Sequence, residues 1–190
     1  MTLRLWMLLA ASGIAACAPA AEEKPAPEVV IEPDPAHECG ICERLNEPAE
    51  PYRIYGDTYY VGTKMISAVL IDGGDGLVLV NGGMTQTAPL IADSIKALGF
   101  SVADLKLIVN THAHFDHAGG IAALARVTGA EVAASEEGVV ALEQGHPPEN
   151  DPQRGLEDNV FPPVTDVRGV KDGESLTVGD VAITAHLTPA

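Results

Sequence analysis

The stretch "VNTHAHFDHAGG", residues 109–120, holds three of the six histidines of this 190-residue chain. Its motif His-x-His-x-Asp-His begins at His112. Side chains alternate along an extended segment, so His112, His114 and Asp116 should project to one side. A turn into a following helix can bring His117 back towards them. The spacing therefore predicts that four potential metal ligands converge.

The types of side chain in the motif indicate which metal and which reaction to expect. Imidazole combined with carboxylate suits zinc, and to a lesser degree iron or manganese. A site with few protein ligands leaves room for water, whose pKa a bound metal lowers from about 16 to about 7. The motif therefore favours hydrolysis. The remaining histidines are expected to be solvated or merely hydrogen-bonded; they are His37, His146 and His186.

Short strands and helices surround the motif. Residues 67–72 and 76–81 are apolar runs separated by glycines, which predicts a β-hairpin. Residues 87–100 have apolar positions at helical spacing, with Thr87 as N-cap and Gly99 as stop signal. Residues 105–110, "LKLIVN", predict a buried strand, and residues 118–129 predict a helix. The motif is therefore expected on a strand-to-helix loop.

The C-terminal third continues with the same kinds of element. Residues 130–135 predict a strand and residues 136–145 a helix. Residues 146–166 are rich in proline and aspartate and predict a long loop, a kind that is often functional or disordered. Residues 173–188 predict a second hairpin, turning at a Gly-Asp pair.

The first residues indicate export. Residues 1–16 combine a basic residue with an apolar run too short to span a bilayer, which is typical of a signal peptide. The sequence Ile-Ala-Ala-Cys that ends at Cys17 resembles a bacterial lipobox, which implies lipidation of Cys17 and a periplasmic location. Because Ala18 rather than aspartate follows, the expected anchor is in the outer membrane. The alternative is ordinary signal cleavage after Ala18.

Residues 17–42 are rich in proline and glutamate and predict a semi-rigid tether ahead of a domain over residues 43–190. Cys39 and Cys42 form a Cys-x-x-Cys pair near its end. In an exported protein a local disulfide is the first interpretation of this pair, and a redox-active pair is the second. Half of a zinc site is the third, because the sequence has no second cysteine pair.

Composition narrows the possible partners. The 46% hydrophobic content is that of a globular protein with a real core. The formal net charge is −16, and only 11 residues are lysine or arginine, without a basic run. Nucleic acid binding needs a clustered positive surface, so this class of partner is excluded. A neutral or cationic small substrate would be tolerated better.

The motif at 112–117 is similar to the signature of the metallo-β-lactamase superfamily. Flanking segments, among them "YRIYGDTYYVGT" at 52–63 and "KDGESLTVGDVAITAHLTP" at 171–189, resemble subclass B3 of that superfamily. The resemblance covers about residues 43–190. It implies an α/β fold, the αββα four-layer sandwich, and zinc-dependent hydrolysis of the β-lactam amide bond by a metal-bound hydroxide, which is an antibiotic-resistance activity. Thioesterases and lactonases share the motif, so they remain alternatives, as does a non-catalytic envelope lipoprotein.

The resemblance also implies a role for each residue of the motif. His112 and His114 would hold a first zinc ion, and Asp116 and His117 a second. Asp116 would in addition orient the attacking hydroxide, so it is the expected catalytic residue. The expected partner is a small β-lactam, and Cys17 would supply a lipid anchor.

The sequence departs from the family pattern in two places, and each departure leads to a separate expectation. The chain ends in "HLTPA", where the family continues with His-Thr-Pro-Gly and further zinc ligands downstream. The chain is therefore expected to be an N-terminal part that lacks the rest of the sandwich and, taken alone, binds metal weakly and is inactive. Asn81 stands where the family commonly has an aspartate, which is expected to reduce metal affinity about 10–100-fold.

Overall fold

The structure, a computed structural model, describes residues 29–188. Its strands are β1 Tyr52–Tyr55, β2 Thr58–Tyr60, β3 Val69–Asp72, β4 Leu77–Val80, β5 Leu105–Val109, β6 Glu131–Ser135, β7 Val167–Val170, β8 Ser175–Val178 and β9 Val181–Thr184. Its α-helices are α1 Cys42–Leu45, α2 Ala88–Ala97, α3 Phe115–Ala118, α4 Ile121–Thr128 and α5 Glu136–Gln144. Short 3-10 turns cover Thr85–Thr87 and Val102–Asp104.

Seven of these strands form one sheet in the order β1-β2-β3-β4-β5-β6-β7. Strands β1 to β4 are antiparallel, and β4 to β7 are parallel. The predicted hairpin is confirmed as β3–β4, in which Asp72 pairs with Leu77 across the glycine turn. Parallel neighbours need crossover connections, and here these contain α2, then α3 with α4, then α5.

The helices cover one face of this sheet. Leu77 and Leu79 of β4 pack in the same apolar cluster as Ile91 of α2, Leu124 of α4 and Leu142 of α5. This alternation is what a strand dictates, because successive side chains point to opposite faces. All five of these side chains are at most 2% exposed, so the main core lies between the helices and the sheet.

The opposite face of the sheet carries the hairpin β8–β9, which pairs antiparallel as a separate two-stranded sheet. Leu176 and Ile183 of the hairpin pack with Val78 of β4 and Leu107 of β5. The described residues thus provide a helical layer, a large sheet and two strands of a second sheet. The expected α/β class is confirmed.

The helix expected over residues 118–129 is divided into α3 and α4 at Gly119 and Gly120. A Cβ on Gly119 would lie 2.5 Å from the backbone nitrogen of Thr85, and one on Gly120 would collide with the carbonyl oxygen of Gly82. The two glycines therefore allow the backbone after β4 to approach the start of α4.

Residues 29–42 fall in the segment for which a tether is expected, yet they contact the domain. Ile31 is 6% exposed and belongs to the main apolar cluster. Asp34 pairs with Arg126 of α4 at 3.2 Å. Cys39 and Cys42 form a disulfide, the first of the three interpretations of this pair. The expected signal peptide and Cys17 lie outside the described residues.

Within residues 29–188, none of the helices is both long and apolar enough to cross a membrane.

Candidate metal centre

The histidine motif lies just beyond the carboxyl end of β5, between the central strands of the sheet. The backbone N–H of Asn110 still donates to the carbonyl of Ala133, in the manner of a strand residue. Residues 111–114 then form a loop, and α3 begins at Phe115. The carboxyl edge of parallel strands is where α/β proteins commonly place their sites. The predicted strand-to-helix loop is thus observed.

The three imidazoles of the motif are neighbours in space. The ring centroid of His112 lies 4.8 Å from that of His114 and 4.2 Å from that of His117. Nε2 of His117 lies 3.5 Å from Oδ2 of Asp116. The structure therefore brings all four candidate ligands into one cluster.

His114 has a partner outside the motif. Its Nε2 lies 2.9 Å from Oδ2 of Asp151, in the loop over residues 146–166. Both side chains are largely buried, with 18% and 21% of their surface exposed. A neutral imidazole that donates from Nε2 has its lone pair on Nδ1, and a carboxylate partner makes that lone pair more basic. His114 is therefore oriented to offer Nδ1 to a metal.

Asp151 is shifted towards its ionised form. Burial opposes ionisation, but a hydrogen bond from the backbone N–H of Gln153 and the hydrogen bond with His114 outweigh it, so the pKa of Asp151 lies below its usual value. Asp151 is thus the negative partner that a histidine ligand needs. The motif alone did not reveal it; the only signal was the density of aspartate and proline in the long loop.

The surroundings of His112 and His117 favour the neutral form of both rings. Burial lowers the pKa of both, and for His112 the neighbouring His117 and His114 lower it further. For His117 the negative charge of Asp116 opposes this shift without reversing it. A metal binds the neutral imidazole, so these shifts prepare both rings for coordination.

His117 and His112 each have one ring nitrogen directed at a hydrogen-bonding neighbour. Nδ1 of His112 lies 3.0 Å from Oγ1 of Thr111, and Nδ1 of His117 lies 3.3 Å from the amide nitrogen of Asn81. Asn81 follows β4 directly and has a φ of 66°, a left-handed conformation that asparagine tolerates better than most residues. In His112 this leaves Nε2 for a metal, whereas Nε2 of His117 also has Asp116 as a neighbour, at 3.5 Å.

The donor set fits zinc. It consists of imidazole nitrogens and a carboxylate, the ligands of catalytic zinc sites, and the outer partners of the rings already fix their orientation. Asp116 has 28% of its side chain exposed, so its carboxylate can contact both a metal and water. The described residues supply four candidate ligands of these kinds: His112, His114, Asp116 and His117.

Phe115 connects this cluster to two distant segments. Its backbone N–H donates to Oδ1 of Asn159 at 3.0 Å. Its ring stacks on His37, with centroids 4.1 Å apart and an angle of 20° between the planes. The long loop and the segment before α1 therefore both hold the start of α3 in place.

The other histidines have different surroundings. The expectation for His37 needs correction, because its ring is packed on Phe115 rather than solvated. His146 fits the expectation of a hydrogen-bonded residue, with Nδ1 3.1 Å from the carbonyl oxygen of Pro147. His186 is exposed and follows the end of β9, rather than lying on the strand.

Comparison with known proteins places this geometry in context. The sequence pattern of the metallo-beta-lactamase superfamily matches residues 61–190. The Rm3 metallo-beta-lactamase is 45% identical with a TM-score of 0.77, and the match covers 80% of this chain and 56% of that chain. BJP-1, a subclass B3 metallo-beta-lactamase of Bradyrhizobium japonicum, is 41% identical with a TM-score of 0.71, over 78% and 55% of the two chains.

A third similar structure is SMB-1, a metallo-beta-lactamase solved in a complex with mercaptoacetic acid. It is 45% identical with a TM-score of 0.73, over 76% of this chain and 55% of that chain. The chain thus spans a little over half the length of the solved structures that it matches.

Proposed function

Because the chain belongs to the metallo-β-lactamase superfamily, we propose that the protein containing it is a zinc-dependent hydrolase that opens the amide bond of β-lactams. The observation that carries the proposal is the cluster of three imidazoles and one carboxylate at the edge of the sheet, each ring with an orienting partner. The similarity of the chain to metallo-beta-lactamase structures at 41–45% identity, among them the subclass B3 enzyme BJP-1, supports the β-lactam as substrate.

Each residue of the cluster has a part in this proposal. When bound, zinc supplies a water of low pKa and polarises the carbonyl that is attacked. His112 and His114 would hold one ion, and Asp116 and His117 would hold another. The Asp116 carboxylate would also accept a hydrogen bond from the attacking water or hydroxide and so orient its lone pair towards the carbonyl carbon. Asp151 keeps Nδ1 of His114 available.

The test uses the complete reading frame that encodes this chain. We expect the purified protein to contain zinc and to hydrolyse a chromogenic cephalosporin, with activity lost on adding a chelator and restored by zinc. His112→Ala should abolish turnover, whereas Glu143→Ala, on an exposed side chain near the end of α5, should leave it unchanged. A zinc-loaded, folded protein without chelator-sensitive turnover would exclude the proposal.

The alternatives are separated by the choice of substrate. A thioesterase or lactonase of the same fold would hydrolyse a thioester or lactone panel and leave the cephalosporin intact. A non-catalytic envelope protein would leave every substrate intact while still folding. Running the three substrate classes side by side on one preparation therefore assigns the activity.

The proposed location is the periplasmic face of the outer membrane, with Cys17 as the lipidated residue. The support is the lipobox-like sequence before Cys17, with Ala18 after it. Metabolic labelling with a fatty acid should mark the protein, and Cys17→Ser should remove the label and release the protein from the membrane fraction. Labelling that persists in Cys17→Ser would contradict this assignment.

A further inference from the structure

His37 is held in a fixed position ahead of α1. Its backbone N–H donates to Oε1 of Gln86 at 3.0 Å, and its carbonyl oxygen accepts from Nε2 of the same glutamine at 2.9 Å. Its ring stacks on Phe115. These three contacts fix the position of the imidazole without using its Nε2 nitrogen.

Nε2 of His37 is an unusual atom in this fold. Among residues 29–188 it is one of two buried side-chain nitrogen or oxygen atoms without a hydrogen-bond partner. Buried polar atoms in folded proteins nearly always have a partner, and leaving one unpaired is unfavourable. Burial also lowers the pKa of His37, against the opposing effects of Asp158 and of the Val160 backbone, and this favours the neutral ring that a metal binds.

The sulfur atoms of Cys39 and Cys42 lie close to the ring of His37. A ring nitrogen of His37 and the Sγ atoms of Cys39 and Cys42 all lie within 4.8 Å of one another. The two sulfurs are joined as a disulfide, so they are not thiolate ligands in this state. Cys42 is buried among apolar side chains that include Ile66 and Met84. The pair is thus close enough to His37 to share an ion once the sulfurs are reduced.

We propose that reduction of the Cys39–Cys42 disulfide creates a zinc site separate from the histidine cluster, with His37 Nε2 and the two thiolates as ligands. A dithiol reductant supplies two electrons and two protons, the S–S bond breaks to give two thiols, and the reductant becomes a disulfide. Each thiol then loses its proton as zinc binds. Two sulfurs and one imidazole are a ligand set that zinc takes, with one position left for water.

The charge of the two thiolates and the access of a cation from solvent are both consistent with the proposed zinc site. Two thiolates neutralise a divalent cation, which suits the apolar surroundings of Cys42 because a neutral complex is cheaper to bury than a charged one. A cavity of about 440 Å³ opens beside His37, and Glu38 and Asp158 are among its lining residues. These acidic side chains favour the entry of a cation from solvent.

The proposed zinc site would preserve a contact that matters to the histidine cluster. The disulfide holds residues 39–42 in a tight turn beside His37, whose ring braces Phe115. Zinc bound to all three ligands holds the same segment together when the disulfide is broken. The stacking of His37 on Phe115, at the start of α3, is therefore preserved under both oxidising and reducing conditions.

Cobalt is the probe, because thiolate ligands give it a near-ultraviolet charge-transfer band that imidazole and carboxylate ligands do not. The full chain carries Cys17→Ser so that one cysteine pair remains. It is reduced with a phosphine, which introduces no thiolate, and the phosphine is removed before cobalt is added. In the reduced protein we expect a band with the intensity of one thiolate-bound cobalt per chain, in addition to any cobalt in the histidine cluster. The band should be absent in the oxidised protein and should disappear when zinc displaces the cobalt.

Substitutions identify the ligands. His37→Ala should weaken cobalt binding, read from the same band, by more than the ten-fold or so that loss of an orienting partner costs. His146→Ala, a histidine of the long loop, is the matched control and should leave the affinity unchanged. Circular dichroism of each variant shows that it is folded. Absence of the band in the reduced protein, or equal affinity in His37→Ala, would overturn the proposal; hydrolytic activity does not enter either readout.

Discussion

The side-chain amide nitrogen of Asn81 lies 3.3 Å from Nδ1 of His117. The amide cannot turn round freely, because its oxygen accepts hydrogen bonds from the backbone N–H and the hydroxyl of Thr111, at 3.0 and 3.1 Å. An amide nitrogen only donates, so Nδ1 of His117 must accept and the ring proton resides on Nε2. A metal that binds Nε2 would move that proton to Nδ1. There the ring N–H would face the N–H group of the Asn81 amide, which is also a donor.

Asn81→Asp should therefore raise the affinity for zinc. A carboxylate accepts from both Thr111 and a protonated Nδ1, so the mismatch disappears, and we expect a gain of about ten-fold. Competition with a chromophoric chelator measures it. The matched control is Asn46→Asp, on a half-buried asparagine that accepts from Thr87. Equal affinities in the wild type and Asn81→Asp would show that the amide imposes no penalty.

Asp151→Ala should lower the affinity for zinc. The substitution removes the carboxylate that orients His114 at 2.9 Å, and loss of such a partner costs about 10–100-fold. The same chelator competition measures the effect. Glu157→Ala, on an exposed carboxylate of the same loop, is expected to bind zinc like the wild type. A similar loss of zinc affinity in both variants would show that the loss of a negative charge lowers the affinity, rather than the loss of the contact with His114.

Gly120→Ala should destabilise the fold by about 1–3 kcal/mol, the usual effect of overpacking. The added methyl group would collide with the carbonyl oxygen of Gly82, a backbone atom that cannot move aside alone. Thermal or denaturant unfolding measures the change. Gly155→Ala is the control, because a Cβ there meets nothing within 4 Å; its effect should stay within about 0.5 kcal/mol. Similar unfolding midpoints for the two variants would contradict the close approach of the two backbones.

Stability of the metal-free protein should fall as the pH drops below about 6.5, the ordinary pKa of histidine. Burial lowers the folded-state pKa of His112 and His117 below that value. The unfolded chain therefore takes up protons first on acidification, which favours unfolding until the pH passes the folded-state pKa values. NMR titration of the imidazole carbons, run beside unfolding at several pH values, tests this. Midpoints of both rings at or above 6.5 would refute it.

Much of the local structure could be predicted because it depends on neighbours along the chain. Alternating apolar residues and a glycine turn predicted the hairpin β3–β4, and apolar spacing predicted α2 over Ala88–Ala97. The expected Thr87 cap is only partly correct, since Thr87 precedes α2 but its side chain makes no capping bond to the helix. Its hydroxyl accepts from the N–H of Met84 instead.

The division of the predicted helix at Gly119 and Gly120 could not be read from helical periodicity. Apolar spacing continues through the two glycines, and what interrupts the helix is the backbone of residues 82–85 packed against it. That segment is more than thirty positions earlier in the sequence. The break in the helix is therefore a tertiary effect, and glycine is its precondition rather than its cause.

For this protein the sequence by itself determined which four residues are the candidate ligands and that they lie on a strand-to-helix loop. It could do so because a six-residue motif and the periodicities of its flanking segments are local properties of the chain. Only the tertiary structure decided which groups orient those ligands. Asp151 lies 37 positions from His114, and Asn81 lies 36 positions from His117. Such pairs form because the sheet places the end of β4 beside β5 and the long loop folds over α3, and no spacing along the chain encodes that proximity.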